Sequence, residues 1–482
     1  MAELDRSSGA SGKQRARWVA LLVTSLASFL APFMLSATNV ALPSMGTEFG
    51  LDPIALGWIQ TSYLLSSAVV LVPIGRIADI RGRKGVFLLG TAVYVIGCIA
   101  MPFSTSGFAL IVMRVVQGVG GAMIFGTSVA ILTSVFPPGE TGKALGINVA
   151  TVYSAIALGP FLGGILTSSL GWRCIFFFSA AIGVAVLLLS LAALKGEWAE
   201  ARGRKFDMVG SVLYAIALAS IMIGALALSG NIAAFPFGTP IQAGIFLGGG
   251  ALLFVFALWE LRNPSPVLDM RLFKNNHVFT LSNLAALISY AATYAVSFFL
   301  SLYLQTVKGF PPEVAGTVLL AQPIVQAVLS PAAGWLSDRA SPRIVASLGI
   351  GIDAAGLFLL STTETGTDLW FIIMNLVILG AGFALFSSPN MNAIMTSVER
   401  QHYGTSSALV STMRQLGQVL SMTIAMIIIS TFLAKTSQLP PTGDSFVQGM
   451  QVAFIIFGVL CVVGMLASMA RGKGNRTMQP GK

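Results

Sequence analysis

Fourteen apolar runs, each long enough to cross a bilayer, leave this chain few ways to fold. They lie near 18–43, 55–74, 85–103, 107–136, 144–168, 171–194, 209–229, 241–260, 278–304, 314–334, 343–361, 368–390, 404–434 and 447–470. About 20 residues of helix, at about 1.5 Å each, span the hydrocarbon layer. Water does not reach backbone N–H and C=O groups there, so each run has to close its own hydrogen bonds as a helix. Composition agrees: 55% of the 482 residues are hydrophobic and 10% charged, against roughly 25% charged in soluble domains. The expected fold is an all-α polytopic membrane protein.

The cations orient it. The first seventeen residues are polar and basic, and the first span is too long for a cleaved signal segment, so it is expected to be retained. An even number of spans puts both termini on one side. With the N-terminus inside, inner loops and tails hold 23 of the 28 Lys and Arg. The outer side keeps only Arg173, Lys308 and Lys435, while Arg114 and Arg414 fall inside spans. Cations accumulate on the cytoplasmic face, so both termini are expected in the cytoplasm of a cell-membrane protein. The net charge of +10 is therefore a topology signal, aided by attraction to anionic lipid. Nucleic acid is not an expected partner. Cys98, Cys174 and Cys461 all lie in apolar segments, without a CxxC pair, and read as small buried hydrophobes. His277 and His402 fall in loops.

An internal repeat organises the spans. GRIADIRGRK (75–84) follows the second, and a degenerate copy, GWLSDRASPR (334–343), follows the tenth. Two six-span halves would make twelve, which leaves the pair at 209–260 as an insertion between two charged loops, KGEWAEARGRKFD and LRNPSPVLDMRLFKNNH. The reading is a tail (1–17), an N-terminal bundle (18–194), charged linkers with an inserted helix pair (195–277), a C-terminal bundle (278–470) and a tail (471–482). The repeated loop resembles the signature loop of the major facilitator superfamily of transporters. The span count resembles that family's fourteen-span drug:proton antiporter branch. The resemblance implies two pseudo-symmetric six-helix bundles plus an inserted two-helix hairpin. It also implies a conformational latch made of Gly75, Asp79 and Arg83, with Gly334, Asp338 and Arg339 in the second copy.

Three further stretches carry the resemblance. RVVQGVGGA (114–122) resembles the family segment with an embedded arginine. A lone arginine in hydrocarbon costs at least about 2.5–3.5 kcal/mol, so Arg114 faces a cavity or is tied to carbonyls within the helix packing. AIALGPFLGG (155–164) resembles the antiporter motif, although Ala155 stands where its first glycine is expected. Gly159, Gly163 and Gly164 make a smooth face for close helix approach, and Pro160 permits a bend. TNVALP (38–43) resembles the first-helix signature, but Met34 stands where family members often carry an aspartate.

Of 18 acids, only Asp353 in GIGIDAAG lies well inside an apolar run. Such a carboxyl protonates or finds a partner, which makes Asp353 either a candidate proton carrier or a hydrogen-bonded structural acid. Arg414, with Gln415 and Gln418, forms the most polar patch of the second half, as a substrate partner or a cross-helix anchor. Asn39, Gln60, Tyr63, Tyr290, Tyr294, Asn375 and Met413 complete an amphipathic candidate cavity suited to bulky lipophilic compounds.

GETGKA is the nearest approach to a nucleotide loop, and its glycine spacing fails. There is no HExxH, no GxSxG and no carboxylate pair within a span, so neither an enzyme, a cofactor nor a metal is expected. The expected function is secondary active export of lipophilic or amphipathic small molecules by a monomer, as a proton antiporter. The alternatives are export of a lipid-like metabolite, transport without proton coupling, and a sensor or scaffold.

Overall fold

A computed structural model describes residues 2–137, 140–194, 196–199, 203, 205–228, 239–268, 270–274, 276–399, 403–433 and 443–471. Among them are fourteen helices long and apolar enough to cross a membrane. They are α1 (Arg17–Phe49), α2 (Pro53–Arg81), α3 (Arg83–Phe103), α4 (Gly107–Val135), α5 (Ala144–Leu170), α6 (Arg173–Ala193) and α7 (Met208–Ala225). The remainder are α8 (Pro240–Arg262), α9 (His277–Val307), α10 (Pro312–Ser337), α11 (Pro342–Leu360), α12 (Leu369–Thr396), α13 (Ser406–Phe432) and α14 (Asp444–Met469). The expected fourteen-span, all-helical class is what the chain adopts. His402 and the tail beyond Arg471 lie outside the described residues, as does the side chain of Asp338.

Local chemistry sets the helix ends. Asp52 caps α2, its Oδ1 accepting the Ala55 N–H at 2.7 Å with Pro53 at the first helical position. Ser106 and Asn276 cap α4 and α9 in the same way, and Asn276 also donates to the Ser397 carbonyl at the end of α12. α1 runs past Pro43, where the sequence reading ended it, to Phe49. It stops at Gly50, whose φ of 63° lets the Leu51 N–H turn back to the Gly46 carbonyl at 3.0 Å. That is a Schellman closure, which only a residue at ease with positive φ forms without strain.

The chain divides into two compact units, residues 1–219 with 311–317, and residues 220–310 with 318–482. In the first, α1 packs on α4, α5 and α6, α2 on α4, and α3 on α4 and α6. In the second, α9 packs on α12, α13 and α14, α10 on α12, and α11 on α12 and α14. These are the same six pairings with every number raised by eight, so the duplication seen in one loop extends to whole-helix packing. α7 is shared between the units. Its Tyr214 hydroxyl donates to the Ala68 carbonyl of α2, and beyond Ser220 its Gly224 lies against the Phe246 backbone of α8.

One end of the first unit is held by a polar cluster. Arg173, at the start of α6, pairs with both carboxylate oxygens of Glu48 near the end of α1. It also donates through Nε to the Pro102 carbonyl at 2.9 Å. Trp172 donates its Nε1–H to Glu48 at 2.7 Å and lies under the Arg173 guanidinium. The two charges oppose their own helix dipoles, so mutual pairing is what makes them tolerable there. The pair is more than a third exposed, which limits it to about 0.5–1 kcal/mol. Glu48→Ala is expected to lower the melting temperature of the detergent-solubilised protein by a few degrees. An unchanged melting curve would show that the cluster carries no stability.

Candidate functional site

Four helices of the first unit converge on Arg114, which is 0% exposed. Its Nε donates to the Ile59 carbonyl at 3.0 Å, Nη1 to Gln117 Oε1 at 2.7 Å and Nη2 to Gln60 Oε1 at 2.5 Å. The guanidinium also lies 4.7 Å from the Tyr63 ring centroid. Gln60 extends the network to α1, donating to the Leu35 carbonyl at 2.8 Å and to Asn39 Oδ1. Gln117 extends it to Cys98 on α3. The glycines after Arg114 make room for this. A Cβ at Gly120 would lie 2.5 Å from the Tyr94 backbone nitrogen, and one at Gly118 would collide with Ser66 and the Tyr63 carbonyl.

Asn39, Gln60, Tyr63 and Arg114 are thus all buried in the bundle, and Arg114 is tied to a carbonyl and side chains of the helix packing. The reason is energetic. Hydrogen bonds to a charged group are worth about 1.5–3 kcal/mol each, and three of them outweigh the cost of a buried arginine.

The repeated loop behaves differently in its two copies. Arg83 is 6% exposed and bridges Asp79, at 2.9 and 2.7 Å, to Ser134 Oγ and the Ala130 carbonyl at the end of α4. Asp79 and Arg83 therefore brace a turn against a neighbouring helix end. Gly75 contributes no tight packing, since a Cβ there would meet nothing within 4 Å. In the second copy Arg339 is exposed and stacks on Trp335, 3.9 Å from the ring centroid. The helix contact is made instead by Asn392, which donates to Ser337 Oγ at 3.1 Å, and Gly334 approaches Ser388. Pro342 stands where Arg83 does in the first copy, so the described side chains form no second Arg83-type brace here.

Sequence reasoning missed Glu197 and Trp198. Glu197 Oε1 accepts the Lys84 N–H at 2.8 Å, and the Trp198 carbonyl accepts the Arg83 N–H at 2.9 Å. The charged linker thus caps the start of α3 from more than a hundred residues away. Gly82, at φ 125°, is the residue that admits it, because any Cβ there would overlap the Glu197 side chain.

The α5 glycines meet two partners. A Cβ at Gly159 would sit 3.0 Å from the Phe33 carbonyl of α1, and one at Gly163 would sit 2.8 Å from Ala37 Cα. A Cβ at Gly164 would sit 2.5 Å from the Pro312 carbonyl. The Pro160 carbonyl is covered by Gly316, and Ser168 donates to Glu313 at 2.7 Å. One face of α5 is therefore fitted to α1 and to the first turns of α10.

In the second unit α9 is interrupted at Tyr294 and Ala295. The Ala295 N–H, lacking its helical acceptor, donates to Ser421 Oγ on α13 at 3.0 Å. A broken helix in a membrane needs such a partner, and only the neighbouring helix reveals that Ser421 has this part. Around the break, Tyr290 stacks edge-on with Phe383 at 5.3 Å, and Gly417 brings α13 within 2.5 Å of the Leu287 carbonyl, measured from a built Cβ. Tyr290, Tyr294, Met413, Arg414 and Gln418 are half-buried here. Asn375 is fully buried, donating to the Phe371 carbonyl at 2.8 Å. Asp353 is fully buried and apart from the other candidates, and neither of its oxygens has a hydrogen-bond partner. Among the described residues no three His, Cys, Asp or Glu side chains form a group that could hold a metal ion.

The model of the Major Facilitator Superfamily matches residues 24–260 and 282–478. The chain belongs to that superfamily. It is 31% identical over 473 residues to the cephamycin export protein CmcT of Amycolatopsis lactamdurans, covering 96% of this chain and 95% of that one. It is 27% identical over 455 residues to the riboflavin transporter RibZ of Clostridioides difficile (strain 630), covering 94% and 97%. Among solved structures it is similar to an inward-facing bacterial homologue of the human lysosomal transporter Spinster, with a TM-score of 0.69 at 17% identity over 95% and 97% of the two chains. The protein is thus a multi-pass membrane protein of a transporter family.

The fitted face of α5 makes a sharp test. Gly163→Leu places a branched side chain where the α1 backbone already sits, so the helices have to part. Transport by the reconstituted variant should fall at least about tenfold, as misplacement of a packed element does, while membrane insertion persists. Wild-type transport by this variant would mean that the close approach has no part in function.

Proposed function

We propose that this transporter exports lipophilic or amphipathic small molecules across the cytoplasmic membrane by alternating access, in exchange for protons. Both termini lie in the cytoplasm, where the positive-inside distribution puts them. The observation that carries the reading is the glycine face of α5. Its residues resemble the antiporter motif, and it holds α1 and the first turns of α10 at backbone contact. Elements held at backbone contact within one compact unit move as one piece, which is what rocking bundles require. The half-buried aromatic and polar side chains around the α9 break suit a bulky, partly apolar substrate. Relatives named for cephamycin export and for multidrug resistance support the same class.

Met34 favours a second reading, transport without a proton. It is fully buried where the family resemblance expects an aspartate, so the first helix offers no carrier. The two readings separate in liposomes. Purified protein is reconstituted, and movement of ethidium and a panel of lipophilic dyes is followed with and without a pH difference. A gradient of about one pH unit carries a tenfold bias per proton exchanged. Antiport predicts dye accumulation approaching that factor, abolished by a protonophore. Dye movement that ignores the gradient would leave a facilitator, and no movement of any dye would refute the substrate class.

A further inference from the structure

Asp353 lies in the interior of the second unit, on the face of α11 that meets α12 and α14. It is 0% exposed and makes no ion pair, and neither carboxyl oxygen has a hydrogen-bond partner. Its site is a notch in α12 left by Gly382, where any Cβ would collide with Asp353 Oδ1. The same built Cβ would lie 2.8 Å from the carbonyl oxygen of Gly349, one turn before Asp353 on α11.

The surroundings favour one protonation state. From Leu369 to Thr396 α12 carries no titratable side chain. α14 carries the buried Cys461, with Asp444 in its first turn and Arg471 just past its end. α10 carries Glu313 in its first turn, Asp338 and Arg339 lie between α10 and α11, and Arg343 lies ten residues before Asp353. A carboxylate in this notch would be stripped of water and left without a hydrogen-bond donor or a cation. An isolated buried charge of that kind neutralises instead. The neutral carboxylic acid escapes most of that cost.

We propose that Asp353 is a proton-binding site of this transporter, seen here in its loaded form, and that the proton exchanges with water only when α11 and α12 part at the Gly349–Gly382 crossing. The site rests on the antiport reading above. It moves the carrier from the first helix, where Met34 has removed it, to the interior of the second unit. Loading adds one proton to the carboxylate and unloading returns it to water, so packing at the crossing gates the exchange.

The test combines a spectroscopic and a transport readout. Infrared spectra of the purified protein near neutral pH should contain a protonated-carboxyl C=O band that is lost in Asp353→Asn. The band should persist in Glu260→Gln, which alters another buried acid. In liposomes, the tenfold gradient bias on dye accumulation should fall to none in Asp353→Asn and return in Asp353→Glu. The infrared arm needs no substrate, so a wild type indifferent to the gradient would sink the antiport reading while the site was still judged. A carboxyl band unchanged by Asp353→Asn, or an equal gradient bias in that variant and wild type, would overturn the assignment. If Asp353→Asn does not fold, a wild-type spectrum without any protonated-carboxyl band at neutral pH overturns it alone.

Discussion

Inside hydrocarbon every polar group has to find its partner within the chain, and the two polar interiors of this molecule answer that demand in opposite ways. Arg114 is saturated by Gln60, Gln117 and a backbone carbonyl, with Tyr63 beneath it. Asp353 has nothing. A guanidinium cannot shed its charge, so evolution surrounds it with acceptors. A carboxyl can take up a proton and be neutral, and then needs only one acceptor. The same physical cost thus yields a fixed cross-brace in the first unit and, in the second, a buried acid whose oxygens have no hydrogen-bond partner.

Close helix approach is the second consequence. Without a hydrophobic force between helices in lipid, packing and backbone proximity hold the bundle. Glycine permits them at Gly120 against Tyr94, at Gly163 against Ala37 and at Gly382 against Asp353. These crossings lie next to the residues with chemistry: beside Arg114, on the α5 face and around the buried acid. A glycine that removes a side chain from a crossing also opens the space a polar neighbour can fill, as Gly382 does for Asp353 and Gly82 for Glu197.

Much of the architecture was legible in the sequence, because helix length and hydropathy are local properties. The spans and the smooth face made by Gly159 and Gly163 could be read from neighbouring residues. What escaped depends on contacts between distant segments. Nothing near Glu197 signals that it caps α3, and nothing near Ser421 signals that it repairs the break in α9. Periodicity also could not tell whether Arg114 turns toward a cavity or into the bundle, since Gln117, one turn on, suits either. In the second copy of the repeated loop proline stands at 342, where the first copy has Arg83, and Arg339 stacks on Trp335.

The account stands on a proton carried by the protein and given up as substrate moves. Substrate-triggered proton release from the purified transporter in weakly buffered detergent solution measures this directly, without a membrane gradient. Addition of a transported dye should acidify the solution by up to one proton per protein molecule, saturating with dye concentration. Saturable dye binding with no change in pH at any starting pH would contradict the proposal that substrate is exchanged for a proton.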